Sequence, residues 1–231
     1  MKPTAQWISL GLAAFFGAVM LVAFLIFPGF FPPMSPNWSA QHVADFYAHH
    51  ATLIRTSMVI FNLCGLMLVP FFMVIVYQMK RMATPTQVLA YCYLSAAVSG
   101  FTLFAIADLM WLIAAFRPMR DPQLVMLLND FAWIIFTAPV GAIVAQNICL
   151  AIAVRLDARP VPVFPKWVAP FSLLIAAAMV PACCGAIVHN GPLAWNGLVS
   201  FWLRIIAYGV YFAVMFVVLM KAIRREAAET A

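Results

Sequence analysis

Apolar residues in this chain neither alternate with polar ones nor keep to one helical face; they run on all sides for about twenty positions at a time. Six such runs cover about 7–28, 54–79, 88–113, 131–154, 167–188 and 198–220. Each is long enough for an α-helix to cross a hydrocarbon core of roughly 30 Å, and the lack of alternation excludes β-barrel strands. The pattern predicts an all-α polytopic membrane protein, one domain over 1–231, with six transmembrane helices in three hairpins. The first run follows Lys2, but it exceeds a signal peptide's apolar stretch and no small-x-small cleavage site follows, so it reads as a membrane helix. Pro70, Pro139 and Pro181 fall inside the second, fourth and fifth runs and predict kinks. Small residues four apart, Ala13/Gly17, Ser95/Ser99, Ala96/Gly100 and Ala178/Ala182/Ala186, predict close packing on the odd-numbered spans.

Composition narrows the class further. The 231 residues are 66% hydrophobic and 9% charged, with a mean hydropathy of +1.02, against about 45–50% apolar and 25% charged in soluble domains. A soluble enzyme, a coiled coil and a disulfide scaffold are excluded together. One set of connections and termini carries Lys2, Lys80, Arg81, Arg155, Arg159, Lys166, Lys221, Arg224 and Arg225, the other Arg55, Arg117, Arg120 and Arg204. This asymmetry predicts that both termini are cytoplasmic. The outer Arg residues are offset by Asp45, Asp108, Asp121 and Asp130, so the net charge of +6 lies wholly on the terminal side, nine bases less Asp157, Glu226 and Glu229. The basic balance therefore reports orientation and anionic lipid, and no nucleic-acid partner is expected. Trp38, Trp111, Trp133, Trp195 and Trp202 are expected in an outer aromatic belt, and Trp7 and Trp167 in an inner one. The five cysteines lie inside spans without metal-ligand spacing, and KAIRREAAET reads as a short charged tail.

Ionisable groups in hydrocarbon are costly and point to function. Counting from Lys221 at about 1.5 Å per residue, Arg204 stands about 25 Å up a core of roughly 30 Å, inside the membrane but near its outer edge. Ser200, Arg204, Tyr208 and Tyr211 recur at i, i+4, i+8 and i+11, a polar stripe facing the bundle. Asn62, Ser95, Gln146 and Asn147 are sparse core polar residues expected to bond between helices. On the outer side, Ser39 is an expected N-cap for one short interfacial helix that lies on the membrane before the second span. His42, Asp45 and His49 recur there at i, i+3 and i+7, with His50 adjacent, a donor set suited to Zn²⁺ or Cu²⁺.

The stretches SAQHVADFYAHHATLIR, FRPMRDPQLVMLLNDFAW and GPLAWNGLVSFWLR together resemble an uncharacterised group of small six-span bacterial inner-membrane proteins. The resemblance covers most of the chain; it implies a bacterial inner membrane and transfers no activity and no functional residue. With no catalytic motif in the sequence, the expected function is binding, extending to translocation, of a small anionic or amphipathic molecule. Its expected place is an outward-facing vestibule of Arg204, Arg55, Asp108, Asp130, Tyr208, Trp195 and Asn196. The alternatives are a membrane-bound metal-dependent enzyme or metal carrier using the His/Asp set, and a structural or accessory subunit of a larger membrane complex; the expected partners besides lipid and a small molecule are a membrane protein or further copies of the chain in a homo-oligomer.

Overall fold

Three of the membrane spans contain a proline that cannot donate to the carbonyl four residues back, and each of them is interrupted there. The second consists of α2 (Ala40–Leu66) and α3 (Val69–Lys80), broken at Met67–Leu68 just before Pro70. The fourth consists of α5 (Pro122–Thr137) and α6 (Gly141–Leu156), separated by Ala138, Pro139 and Val140. The fifth, α7 (Val168–Met179), tightens into a 3-10 turn over Val180–Ala186 that contains Pro181. The first and third spans, α1 (Pro3–Ile26) and α4 (Val88–Phe116), are unbroken. The sixth begins with a π-helical stretch, Leu198–Leu203, and continues as α8 (Arg204–Thr230). This computed structural model describes residues 3–117 and 119–230, the last without its side chain; Lys2, counted above among the bases, lies outside them.

Six stretches are long and apolar enough to cross a membrane, so contact with a lipid bilayer is inherent in the architecture. They are Pro3–Ile26, Ala40–Lys80, Val88–Phe116, Pro122–Leu156, Val168–Ala186 and Leu198–Glu229. Three, the second, fourth and sixth, reach well beyond the apolar runs. Nothing between Ser39 and Met67 breaks a helix, so the expected short interfacial helix is instead the first part of α2, capped by Ser39 Oγ accepting from the His42 N–H (3.2 Å). Its Val43, Ala44 and Tyr47 are buried in the bundle, and the Tyr47 hydroxyl donates to Asn129 Oδ1 on α5 (2.9 Å). The helix therefore stands along α5 and does not lie flat. α5 likewise begins early, with Asp121 as N-cap and Pro122 in its first turn.

Buried side chains form two apolar clusters stacked along the bundle. One, on the side of the termini, gathers Leu10, Phe72, Tyr93, Leu150, Met179 and Leu219. The other, on the opposite side, is mostly aromatic. It is organised around Phe30, whose ring lies 4.4 Å from Phe27, 4.6 Å from Phe24, 5.4 Å from Trp111 and 5.8 Å from Trp133. Phe27, Phe30 and Met34 belong to the connection between α1 and α2, which folds into the bundle as a plug; the Trp195 indole donates to the Met34 carbonyl (2.8 Å). Trp111, Trp133 and Trp195, expected at the membrane boundary, are accordingly core residues, whereas Trp7 and Trp167 remain exposed. Between spans three and four, a Cβ on Gly100 would stand 3.5 Å from Ala142, the close approach that a small residue permits. Ser95 and Ser99 do not share that role: both are exposed, and Ser99 bonds back to the Ser95 carbonyl.

At the terminal side, the expected charged tail is the last part of α8. Glu226 is buried and accepts from Gln6 Nε2 (2.9 Å), Gln78 Nε2 (2.9 Å) and the Tyr77 hydroxyl (3.1 Å), with Arg81 Nη1 at 3.2 Å. One carboxylate thus joins α1, α3 and α8 and puts both termini on one face. Glu226→Ala strands these donors and should destabilise the fold by roughly 3 kcal/mol, read as a fall of several degrees in the thermal midpoint in detergent. Glu229→Ala, at a half-exposed position, should cost less than about 1 kcal/mol; equal midpoints for the two variants would contradict the buried network.

Candidate functional site

The break in the fourth span creates a chemical problem that the sixth span answers. Pro139 cannot donate to the Ile135 carbonyl, and the Val140 N–H turns to Ala138 O (2.8 Å), so the Phe136 carbonyl loses its helical partner midway along a membrane span. Arg204 Nη1 donates to that carbonyl, and its guanidinium carbon lies 4.2 Å from the centre of the Phe136 ring. A cation at the C-terminal end of α5 also suits the helix dipole. Because α5 and α6 each have 16 residues, the break that Arg204 caps lies halfway along the fourth span, although Arg204 itself is near the start of the sixth.

Arg204 retains 8% of its surface, yet its Nε and Nη2 find no hydrogen-bond partner among the described residues. Arg204 is among the residues that line a cavity of about 90 Å³ at the seam between the two apolar clusters, where the breaks of the second and fourth spans meet. Gly65, Leu68, Phe136 and Val140 line it from those breaks, Phe101 and Phe104 from α4, and Tyr208 from α8. Gly65 is needed for this packing, since a Cβ there would come within 2.5 Å of the Phe104 ring. Gln146 also lines the cavity; its buried amide nitrogen makes no hydrogen bond, the Tyr93 hydroxyl being the polar group that faces it. The site is therefore a small, largely apolar chamber holding one fixed cation and an excess of unanswered donors.

Of the residues expected around an outer vestibule, the structure brings Arg204 and Tyr208 together and disperses the others. Arg55 folds back on its own helix, donating to Ala51 O (3.2 Å). Asp130 is half-buried beside Asn129. Trp195 stacks on Trp133 at 6.1 Å in the aromatic cluster, and the neighbouring Asn196 is half-buried outside the cavity. Asp108 is buried in α4 with neither carboxyl oxygen hydrogen-bonded; Asn62, the polar side chain facing it, donates to Ala105 O (3.1 Å). No ion pair joins Arg204 to either acid among the described residues, where the salt bridges all lie at the terminal face. The space expected to be open is filled by the Phe30 plug.

The stripe on the sixth span separates for a geometric reason. The π-helical stretch before Arg204 changes the register, so Ser200 faces the preceding loop and donates to Leu193 O (2.7 Å). Tyr211 lies deeper, its hydroxyl 2.6 Å from that of Tyr93. The His/Asp set is also spread out: His42 packs on Trp38 (4.4 Å), His50 on Phe46 (4.9 Å), and Asp45 accepts from Gln41 (2.8 Å). His49 stacks on His50 at 4.6 Å. Among the described residues no group of three or more His, Cys, Asp or Glu is placed to hold a metal ion.

Sequence reasoning gave Gln146 only an interhelical bond and did not join it to Arg204. The available signal was Pro139, seven residues before Gln146 in the same span, which frees a carbonyl that a buried cation can answer. Comparison of this chain with family models, with curated proteins and with solved structures found no match.

Proposed function

We propose that the protein is a membrane-embedded binding protein for a small anion, or for the anionic head of an amphipathic molecule, held by Arg204. The observation that carries this reading is that Arg204 and Gln146, whose Nε, Nη2 and Nε2 are buried donors making no hydrogen bond, line the same cavity. Buried donors of this kind each cost about 1–3 kcal/mol when left unmet, and an acceptor-only guest such as a carboxylate answers them together. The volume of about 90 Å³ is that of roughly three water molecules, so it admits a head group and not a whole lipid. The tail of an amphipathic guest would lie among Leu103, Ile135 and Ile143, which line the cavity and remain partly exposed at mid-span. With Phe30, Trp133 and Phe201 filling the bundle on the side away from the termini, entry from the lipid between α4 and the α5/α6 pair is the favoured route. Translocation, on this reading, requires the plug to move.

A second reading rests on the Arg204–Phe136 contact itself: Arg204 serves only to cap a broken helix. Titration of the detergent-purified protein with octanoate, against octanol as the uncharged control, separates the two. Anion binding predicts thermal stabilisation by octanoate only, rising with the logarithm of its concentration and reaching about 2.7 kcal/mol at a hundredfold excess over Kd. Arg204→Gln and Gln146→Leu should each weaken binding by about tenfold or more; Gln146→Leu leaves the cap intact and so keeps the test valid if Arg204→Gln unfolds. The absence of any octanoate effect on the wild-type protein would leave only the capping role.

We also infer that the face bearing the termini is cytoplasmic, in a bacterial inner membrane. Eight described bases support that orientation: Lys80, Arg81, Arg155, Arg159, Lys166, Lys221, Arg224 and Arg225. In a background without the native cysteines, Arg120→Cys should react with a membrane-impermeant maleimide in intact cells, and Arg155→Cys only after permeabilisation. The reverse pattern would invert the topology.

A further inference from the structure

A second concave region lies at the terminal end of α8, remote from Arg204. It is an open groove of about 660 Å³ between α8 and the connection joining α6 to α7. Its deeper part is apolar, with Ala213, Val214 and Val217 on α8, and Trp167 and Pro165 line it from the connection. Lys221 and Arg225 stand at its terminal end. From Ala213 to Lys221 is about 12 Å along the helix at 1.5 Å per residue, close to the depth of one leaflet of a core roughly 30 Å thick.

The charges at this end are distributed unequally. Arg225 is committed to the wall: its Nη2 donates to Pro162 O (2.7 Å) and Val163 O, which holds the connection against α8. Lys166 is consumed by the carbonyls of Val154 (2.9 Å) and Asp157 (2.8 Å). Glu229, the acid nearest Arg225 at 3.9 Å, is already engaged by Arg81 (2.9 Å) and Arg159 (3.4 Å). Lys221 is exposed and has no hydrogen bond or ion pair among the described residues. The groove therefore offers an apolar channel one leaflet deep, an uncommitted ammonium at its mouth, a guanidinium beside it and a half-exposed indole at the interface.

We propose that this groove is a binding site for one anionic phospholipid of the leaflet on the terminal face. The head-group phosphate meets Lys221 and Arg225, and an acyl chain lies along Val217, Val214 and Ala213. Apolar surface here is covered by lipid chains in any membrane; the cations at one end make the site selective for a negative head group.

Native mass spectrometry of the detergent-solubilised protein, titrated in parallel with phosphatidylglycerol and phosphatidylcholine, tests the site. The expected result is one tightly held phosphatidylglycerol, preferred over phosphatidylcholine, with Lys221→Glu reducing its affinity by roughly tenfold or more. Arg224→Glu makes the same kind of charge reversal at a residue that does not line the groove and should leave the affinity unchanged within about twofold. Val217→Trp fills the channel without touching charge and should also reduce binding. The site is refuted if the wild-type protein shows no phosphatidylglycerol preference, if Arg224→Glu weakens binding as much as Lys221→Glu does, or if Val217→Trp has no effect. Displacement of the lipid by inorganic phosphate at equal concentration would show that the chain contributes nothing, and would equally overturn the assignment.

Discussion

A carbonyl that loses its helical partner inside a membrane has no water to turn to, and the contact between Arg204 and the Phe136 carbonyl answers that constraint. Pro139 makes the break, the break frees the carbonyl, and the freed carbonyl holds a guanidinium at the middle of a span. Once Arg204 is fixed there, the rest of the site follows. The guanidinium has more donors than one carbonyl can satisfy, and Arg204 lines a cavity whose walls come from the broken second and fourth spans together with α1, α4 and α8. α4 contributes Phe101 and Phe104.

The interruptions also divide the bundle. Phe61, Phe136 and Phe201 belong to the aromatic cluster around Phe30, whereas Leu68, Val140 and Ala207, a few residues further along the same spans, belong to the cluster on the terminal side. The seam between them is where helices change direction and packing is least continuous, so a cavity there is a consequence of the fold. Each half has its own fastening: the Trp195 indole on the Met34 carbonyl in one, and Glu226 with its ring of donors in the other. On the proposed reading, a guest at Arg204 sits between two independently fastened halves, where its acceptor atoms replace missing protein contacts.

The span count was legible because hydrocarbon demands long apolar runs, and the three interruptions because proline lacks a donor. Arg204 and Tyr208 were legible for a related reason: a charge in hydrocarbon is rare and must face something polar or enclosed. What was not legible required knowledge of partners distant in sequence. Phe27, Phe30 and Met34 look like a loop broken by prolines, and only the ring of aromatic residues from five other segments makes them a plug. Glu226 lies beyond the apolar run and reads as tail until Gln6 and Gln78 are brought against it. Ser200 and Tyr211 keep helical spacing with Arg204 on paper, but one π-helical stretch, which no periodicity announces, removes Ser200 from the set. The histidines keep their helical spacing in the structure, yet the aromatic neighbours Trp38 and Phe46 occupy two of the rings.

The most direct test of the account is a solid-state NMR distance in lipid bilayers between a 13C carbonyl at Phe136 and the 15N-labelled guanidinium of Arg204. A hydrogen bond between them predicts a measurable through-space dipolar coupling at a separation of about 4 Å. Absence of coupling in the folded protein would mean that Arg204 does not cap the broken helix, and both the cavity's fixed cation and the function built on it would fall.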